Sequence, residues 1–127
     1  MTSPILAYIS KKGCPACGLF DPVFMKLADS ITDMKLVKFE LSPGKTLLDE
    51  IKVHVHWYPT VMLIDSESYY TLFTQDDKLK PNIRGKKGFF KCMIYGTIQG
   101  PNGPLPVPGA MTYDNLSRWV KTNRSRC

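Results

Sequence analysis

"ILAYISKKGCPACGLFDPVFMKLADSI", residues 5–31, is the stretch on which the fold turns. It opens with "ILAYI" (5–9), a short apolar, β-prone run that predicts a buried strand. It closes with Leu19, Phe20, Val23, Phe24, Leu27, Ala28 and Ile31, spaced alternately by one and three residues. That spacing predicts a long amphipathic helix with one face in the core. Between them lie two cysteines three positions apart, Cys14 and Cys17, at the place where the strand hands over to the helix. Pro15 suits the first helical position, where a missing N–H costs nothing. Pro22 falls within the helix, where it removes a hydrogen bond and favours a kink.

A cysteine at a helix N-terminus has a chemical use. Thiol exchange needs a thiolate, since the thiol is a poor nucleophile. The helix end stabilises an anion by about 0.3–1 kcal/mol, and by about 2 kcal/mol when partly buried. The spacing leaves Cys14 at the exposed tip and Cys17 one turn in, behind it. This reading makes Cys14 the attacking nucleophile and Cys17 the thiol that resolves the mixed disulfide.

Further along, "KLVKFEL" (35–41) alternates in period two and predicts a second strand. Ser42-Pro43-Gly44 turns the chain into a short helix carrying Leu47, Leu48 and Ile51. "TVMLI" (60–64) predicts another buried strand, entered through Tyr58-Pro59. Residues 65–88 have a weak pattern with a strand at "YYTLF", and "FFKCMIYGTI" (89–98) predicts a further strand. The run "QGPNGPLPVPGA" (99–110), with three Gly and four Pro, reads as a loop. A last helix starts with Thr112 as N-cap and Asp114 in its first turn, with Leu116, Trp119 and Val120 facing inward. Strands alternating with helices imply an α/β domain whose sheet has a parallel core.

The chain has 127 residues, 43% of them hydrophobic, enough for one domain spanning 1–127 with its own core. No apolar run approaches the roughly 20 residues that span a bilayer, so no membrane association is expected. The N-terminus has no signal-peptide charge order, which leads us to expect a cytoplasmic protein, where structural disulfides are uncommon. The net charge of +6 is uneven: residues 1–77 carry net −3 and residues 78–127 net +9. Such a split suits an anionic partner for residues 78–91, or simply a solvated basic face. Nucleic acid is not the expected partner, because the basic residues are not interleaved with aromatics in a stacking motif.

Several spacings together resemble the thioredoxin-like superfamily. Residues 5–31 are similar to its first strand, active-site turn and kinked helix, with Pro22 at the place of the family's helix proline. "VHWYPT" (55–60) resembles the segment holding the family's cis-proline, in the form found in protein disulfide isomerase domains. "MTYDNLSRWV" (111–120) looks like the final helix. The resemblance implies a thioredoxin-like fold, a four-stranded mixed sheet flanked by helices. The basic stretch 65–88 would be an insertion between the last two core strands. It implies a thiol–disulfide oxidoreductase that exchanges electrons with protein cysteines through Cys14 and Cys17. Gly13, Pro15 and Ala16 would form the active-site turn. Pro59, in a cis peptide, would present the Tyr58 backbone to substrate, flanked by Trp57 and Thr60. Trp57 lines a substrate groove or packs against the short helix. Its partners would be protein substrates with reactive thiols or disulfides and a reductase or dithiol donor. No cofactor or metal is implied.

The departures matter as much. Gly13 stands where thioredoxins carry Trp, and Tyr8 stands where they carry a buried Asp. Proton transfer for the resolving cysteine then has to run through water or another group. The Thr-Val-Pro segment of glutaredoxins is absent, so glutathione is not predicted as the reductant. Three rival readings stand beside this one. The first is a redox-inactive binding module that grips an anionic partner. The second is a small nucleic-acid-binding protein. The third is a zinc module of Cys14, Cys17, His54 and His56, a ligand list that suits tetrahedral zinc. Cys92 is expected to be a buried inert thiol and Cys127 an incidental exposed one.

Overall fold

The computed structural model describes residues 4–42, 44, 55–66, 69, 94–95, 97–106 and 111–126. β1 (Pro4–Lys11) leads into α1 (Pro15–Ser30) and then β2 (Lys35–Leu41). β3 (Thr60–Asp65), the two-residue β4 (Ile94–Tyr95), β5 (Thr97–Gly100) and β6 (Gly103–Pro106) follow, and α2 (Tyr113–Asn123) comes last. β2 runs parallel to β1, and β3 runs antiparallel to β1 on its other side. These three strands are the body of a mixed sheet. β4 pairs antiparallel with β3, giving the order β2-β1-β3-β4.

The two faces of the sheet follow from the period-two alternation of strands. Leu6, Tyr8, Val61 and Leu63 point to one face, where they meet Phe20, Phe24, Leu27 and Ile31 of the α1 region and Leu116 and Val120 of α2. Ile5, Ala7, Ile9, Met62 and Ile64 fill the opposite face with Leu41. β1 is therefore buried on both faces and paired on both edges. Each fully buried Leu or Ile side chain contributes about 1.5–3 kcal/mol. Tyr8 sits edge-on to Phe20, with ring centroids 4.9 Å apart, and 5.0 Å from Phe24.

The sequence-predicted β1, α1, β2, β3 and α2 are all present. Thr112 caps α2, accepting the Asn115 N–H at 3.4 Å, with Asp114 in the first turn. Leu116 and Val120 are fully buried and Trp119 half-buried against Tyr95 at 4.9 Å. The structure corrects three expectations. Leu19 is 82% exposed, not core. The inward stripe is Cys17, Phe20, Phe24 and Leu27, and at about 100° per residue Leu19 points well away from it. The strand expected over 89–98 is split, with Ile94–Tyr95 in the main sheet and Thr97–Gly100 in a separate two-stranded one. Gly96 lies between them in sequence, a residue type that weakens a strand interior.

The third correction concerns 99–110, where β5 and β6 form an antiparallel hairpin turning at Pro101-Asn102. Pro104 and Pro106 face Gln99 and Thr97, alternate rungs from the Gly100–Gly103 pair beside the turn. Those are the rungs at which an antiparallel ladder uses no N–H, so the prolines are tolerated. Within 65–88 only Asp65, Ser66 and Tyr69 are described; Ser66 and Tyr69 are helical rather than part of a strand. The rest of the expected insertion, the basic run 78–91, the short helix with Leu47, Leu48 and Ile51, and His54, Cys92 and Cys127 lie outside the described residues.

Candidate active site

The site begins with a turn. The Cys14 N–H donates to the Lys11 carbonyl at 3.1 Å, and Gly13 adopts φ +85°. A left-handed residue at the third position of such a turn is where glycine is favoured. The turn delivers Cys14 to the N-cap of α1, with Pro15 opening the helix. The Cys14 sulfur accepts the Cys17 N–H at 3.1 Å, the role a Ser or Asp oxygen commonly fills at a helix start. Pro22 sits inside α1 without an N–H to donate.

The two thiols are free and differ in environment: Cys14 is partly exposed and Cys17 is only 4% exposed. Burial, and then its hydrogen bond with Cys14, push the Cys17 thiol upward from the ordinary cysteine range. The Tyr58–Pro59 peptide is cis, and the Cys14 thiol reaches the Tyr58 carbonyl at 3.8 Å. Tyr58 is half-buried and Pro59 and Thr60 are buried. The Thr60 hydroxyl donates to the Trp57 carbonyl, closing this segment. Trp57 is half-buried, with the His56 ring 5.9 Å away. Lys11 lies over the Tyr58 ring at 5.8 Å. The structure thus brings Gly13, Cys14, Pro15, Cys17 and Tyr58 together. Among the described residues no group of three or more His, Cys, Asp or Glu is placed to hold a metal ion.

A cleft of about 270 Å³ opens beside the thiols, lined by Cys14, Cys17, Asp21, Lys38, Glu40 and Ser10 together with Lys11, Gly13, Pro15 and Gly18. Trp57, Tyr58, Pro59 and Thr60 are not among its lining residues. The parallel register places Tyr8 opposite Lys38 and, two residues further on, Ser10 opposite Glu40, so the two pairs lie on successive rungs of the same face of the sheet. The Tyr8 hydroxyl lies 2.7 Å from Asp21 Oδ1 and 2.9 Å from the Cys17 carbonyl oxygen. Lys38 Nζ lies 3.2 Å from the same carboxylate oxygen and 5.5 Å from the Tyr8 ring centre.

The Tyr8 hydrogen bond, followed by Lys38, holds the Asp21 carboxyl below the usual carboxylate range. Burial first, then Asp21, keep the Tyr8 phenol protonated far above its ordinary value. Sequence reasoning missed Asp21 and Lys38. The available signal was the four-residue step from Cys17 to Asp21, one helical turn on the same face. The alternation of β2, which sends Lys38 and Glu40 toward the α1 side, was the other.

No family model matches the chain, and no curated protein matches it. Among solved structures, the crystal structure of the J-Trx1 fragment of ERdj5 matches with a TM-score of 0.54 and 10% sequence identity. The alignment covers 96% of this chain and 42% of that one, so the chain spans less than half the length of its structural neighbour. At that identity the likeness speaks to architecture alone: a thioredoxin-like α/β fold whose first strand-to-helix junction carries the Cys14–Cys17 pair.

Proposed function

We propose that the protein is a thiol–disulfide oxidoreductase that exchanges electrons with protein cysteines through Cys14 and Cys17. The observation that carries this reading is the Cys14 sulfur at the N-cap of α1, accepting the Cys17 N–H at 3.1 Å with the Tyr58 carbonyl 3.8 Å away. A sulfur at a helix start sits among backbone N–H donors, which meet the negative charge that passes through it during exchange. The buried Cys17 stands one turn behind it. The Cys14 thiolate attacks a substrate disulfide, releasing one substrate thiol and forming a mixed disulfide. Cys17 then attacks Cys14, releasing the second substrate thiol and leaving the Cys14–Cys17 disulfide. Two electrons pass to the substrate, and a dithiol donor returns them. The Tyr58 carbonyl beside Cys14 offers an extended substrate chain a backbone acceptor, and Trp57 and Thr60 hold the segment that presents it.

The test is disulfide reduction with insulin and a dithiol donor. Cys14→Ser is expected to abolish turnover, and Cys17→Ser to accumulate mixed disulfides with the substrate. Full activity in Cys14→Ser ends the reading.

A further inference from the structure

The cleft beside the thiols holds acceptors that the sulfur exchange leaves unused. Ser10 lines it, is 1% exposed, and its hydroxyl oxygen is buried without a hydrogen-bond partner. A buried hydroxyl left unpaired costs free energy, so a donor that enters and bonds to it is favoured. Glu40 stands opposite Ser10 in the parallel pair and lines the same cleft. The four charged residues of the lining are not equivalent. Asp21 is taken up by Lys38 at 3.2 Å and by the Tyr8 hydroxyl at 2.7 Å. Lys11 lies over the Tyr58 ring at 5.8 Å. Glu40 is exposed and forms no ion pair among the described residues. The cleft therefore offers an unneutralised carboxylate beside an unpaired hydroxyl, two acceptors that suit an ammonium or a guanidinium.

Size and position say what would carry that cation. At about 270 Å³ the cleft is smaller than the roughly 300–1,000 Å³ of small-molecule sites, and suits one side chain better than a cofactor. Cys14 borders both the cleft and the Tyr58 carbonyl, whereas Tyr58 stands outside the lining. A substrate chain held at that carbonyl, with its cysteine over Cys14, has the cleft within reach. Residues two apart on an extended chain share a face and lie about 7 Å from each other. We propose that Glu40 and the Ser10 hydroxyl receive a cationic side chain of the substrate, selecting protein cysteines that have Lys or Arg two residues away. The pocket deepens the dithiol reading above and rests on it. Glu40 supplies the charge, and Ser10 accepts one hydrogen bond at the floor.

The test uses capped peptides X-Gly-Cys-Gly-X, with X as Lys, Ala or Glu, each joined through its cysteine to thionitrobenzoate. The Cys14 thiolate attacks the peptide sulfur and forms the Cys14–peptide disulfide. The bond to thionitrobenzoate breaks, and that thiolate leaves with the electron pair and is coloured. The full chain carries Cys92→Ser and Cys127→Ser, and each rate is divided by the same peptide's rate with mercaptoethanol to remove intrinsic reactivity. The Lys peptide is expected to react about tenfold faster than the Ala peptide. About fivefold of this is the upper end for a partly exposed ion pair, and about twofold is a weak hydrogen bond. The Lys-to-Ala ratio should fall to about twofold in Glu40→Gln and to about fivefold in Ser10→Ala. In Glu40→Lys the Glu peptide should become the fastest, and added salt should shrink the preference in the parent. Equal rates for the three peptides, a parent preference for Glu, or a ratio undiminished in Glu40→Gln overturns the pocket. So does a ratio lost in Asp21→Asn and kept in Glu40→Gln. Colour released as fast by Cys14→Ser as by the parent would instead refute the dithiol reading, whereas release that needs Cys14 and ignores the flanking charge refutes the pocket alone.

Discussion

Two glycines that flank the cysteine pair should respond in opposite senses to the same substitution. Gly13 has φ +85°, and a Cβ built there meets no heavy atom within 4 Å. The whole cost of Gly13→Ala is then backbone strain, about 1–2 kcal/mol for an L residue in the left-handed region. The stiffer unfolded chain returns roughly 0.4–1 kcal/mol, so the net loss is about 1 kcal/mol. Gly18 lies inside α1 and also has open space around its Cβ position. There alanine removes the entropy cost of a helical glycine and should stabilise by roughly 0.5–1 kcal/mol. The two variants should therefore differ by about 1.5–2 kcal/mol. Urea unfolding followed by far-ultraviolet circular dichroism reads this directly as a change in midpoint at constant slope. A Gly13→Ala protein as stable as the parent, or a Gly18→Ala protein destabilised as much as Gly13→Ala, would refute the assignment of the turn.

Other outcomes follow from burial and charge. Leu27→Ala, at a fully buried position between sheet and helices, should cost about 2–5 kcal/mol and lower the thermal midpoint clearly. Alkylation with iodoacetamide, followed by peptide mass spectrometry, should label Cys14 well before Cys17, since Cys17 is buried and its thiolate disfavoured; equal rates would contradict that geometry. Asp21 titrates lower in the folded chain than its ordinary 3.8. Its contribution to stability is thus present above that value and is lost as pH falls through the lower, folded one. The stability gap between the parent and Asp21→Asn should therefore shrink as urea titrations are moved into that acid range, and a gap that stays constant would contradict it.

The elements legible in the sequence were those whose periodicity and caps agreed. "ILAYI", "KLVKFEL" and "TVMLI" carry strand patterns, and Thr112 with Asp114 marks a helix start. The junction at Cys14 was legible for the same reason, because Pro15 fixes where the helix begins. The Thr97–Pro106 hairpin was hidden because the prolines of this stretch argue against a strand unless the register is known, and register is a property of the pairing. Leu19 was misplaced by counting apolar residues without choosing the centre of the stripe. The cleft partners of Cys17 were missed for a further reason. Tyr8, Asp21 and Lys38 come from a strand, a helix and a second strand, and only the parallel pairing of Tyr8 with Lys38 brings them to one level.

The double pairing of β1 also bears on how the molecule opens. Pro4–Lys11 is bonded to β2 along one edge and to β3 along the other, with both faces covered. Its amides cannot be exposed by fraying one neighbour, so their hydrogen exchange should track global unfolding rather than local breathing. Lys11 is the last residue of that strand and the first of the turn that carries Cys14. The Cys14 sulfur therefore hangs from a strand that should be among the last of the described elements to exchange, at that strand's fixed end.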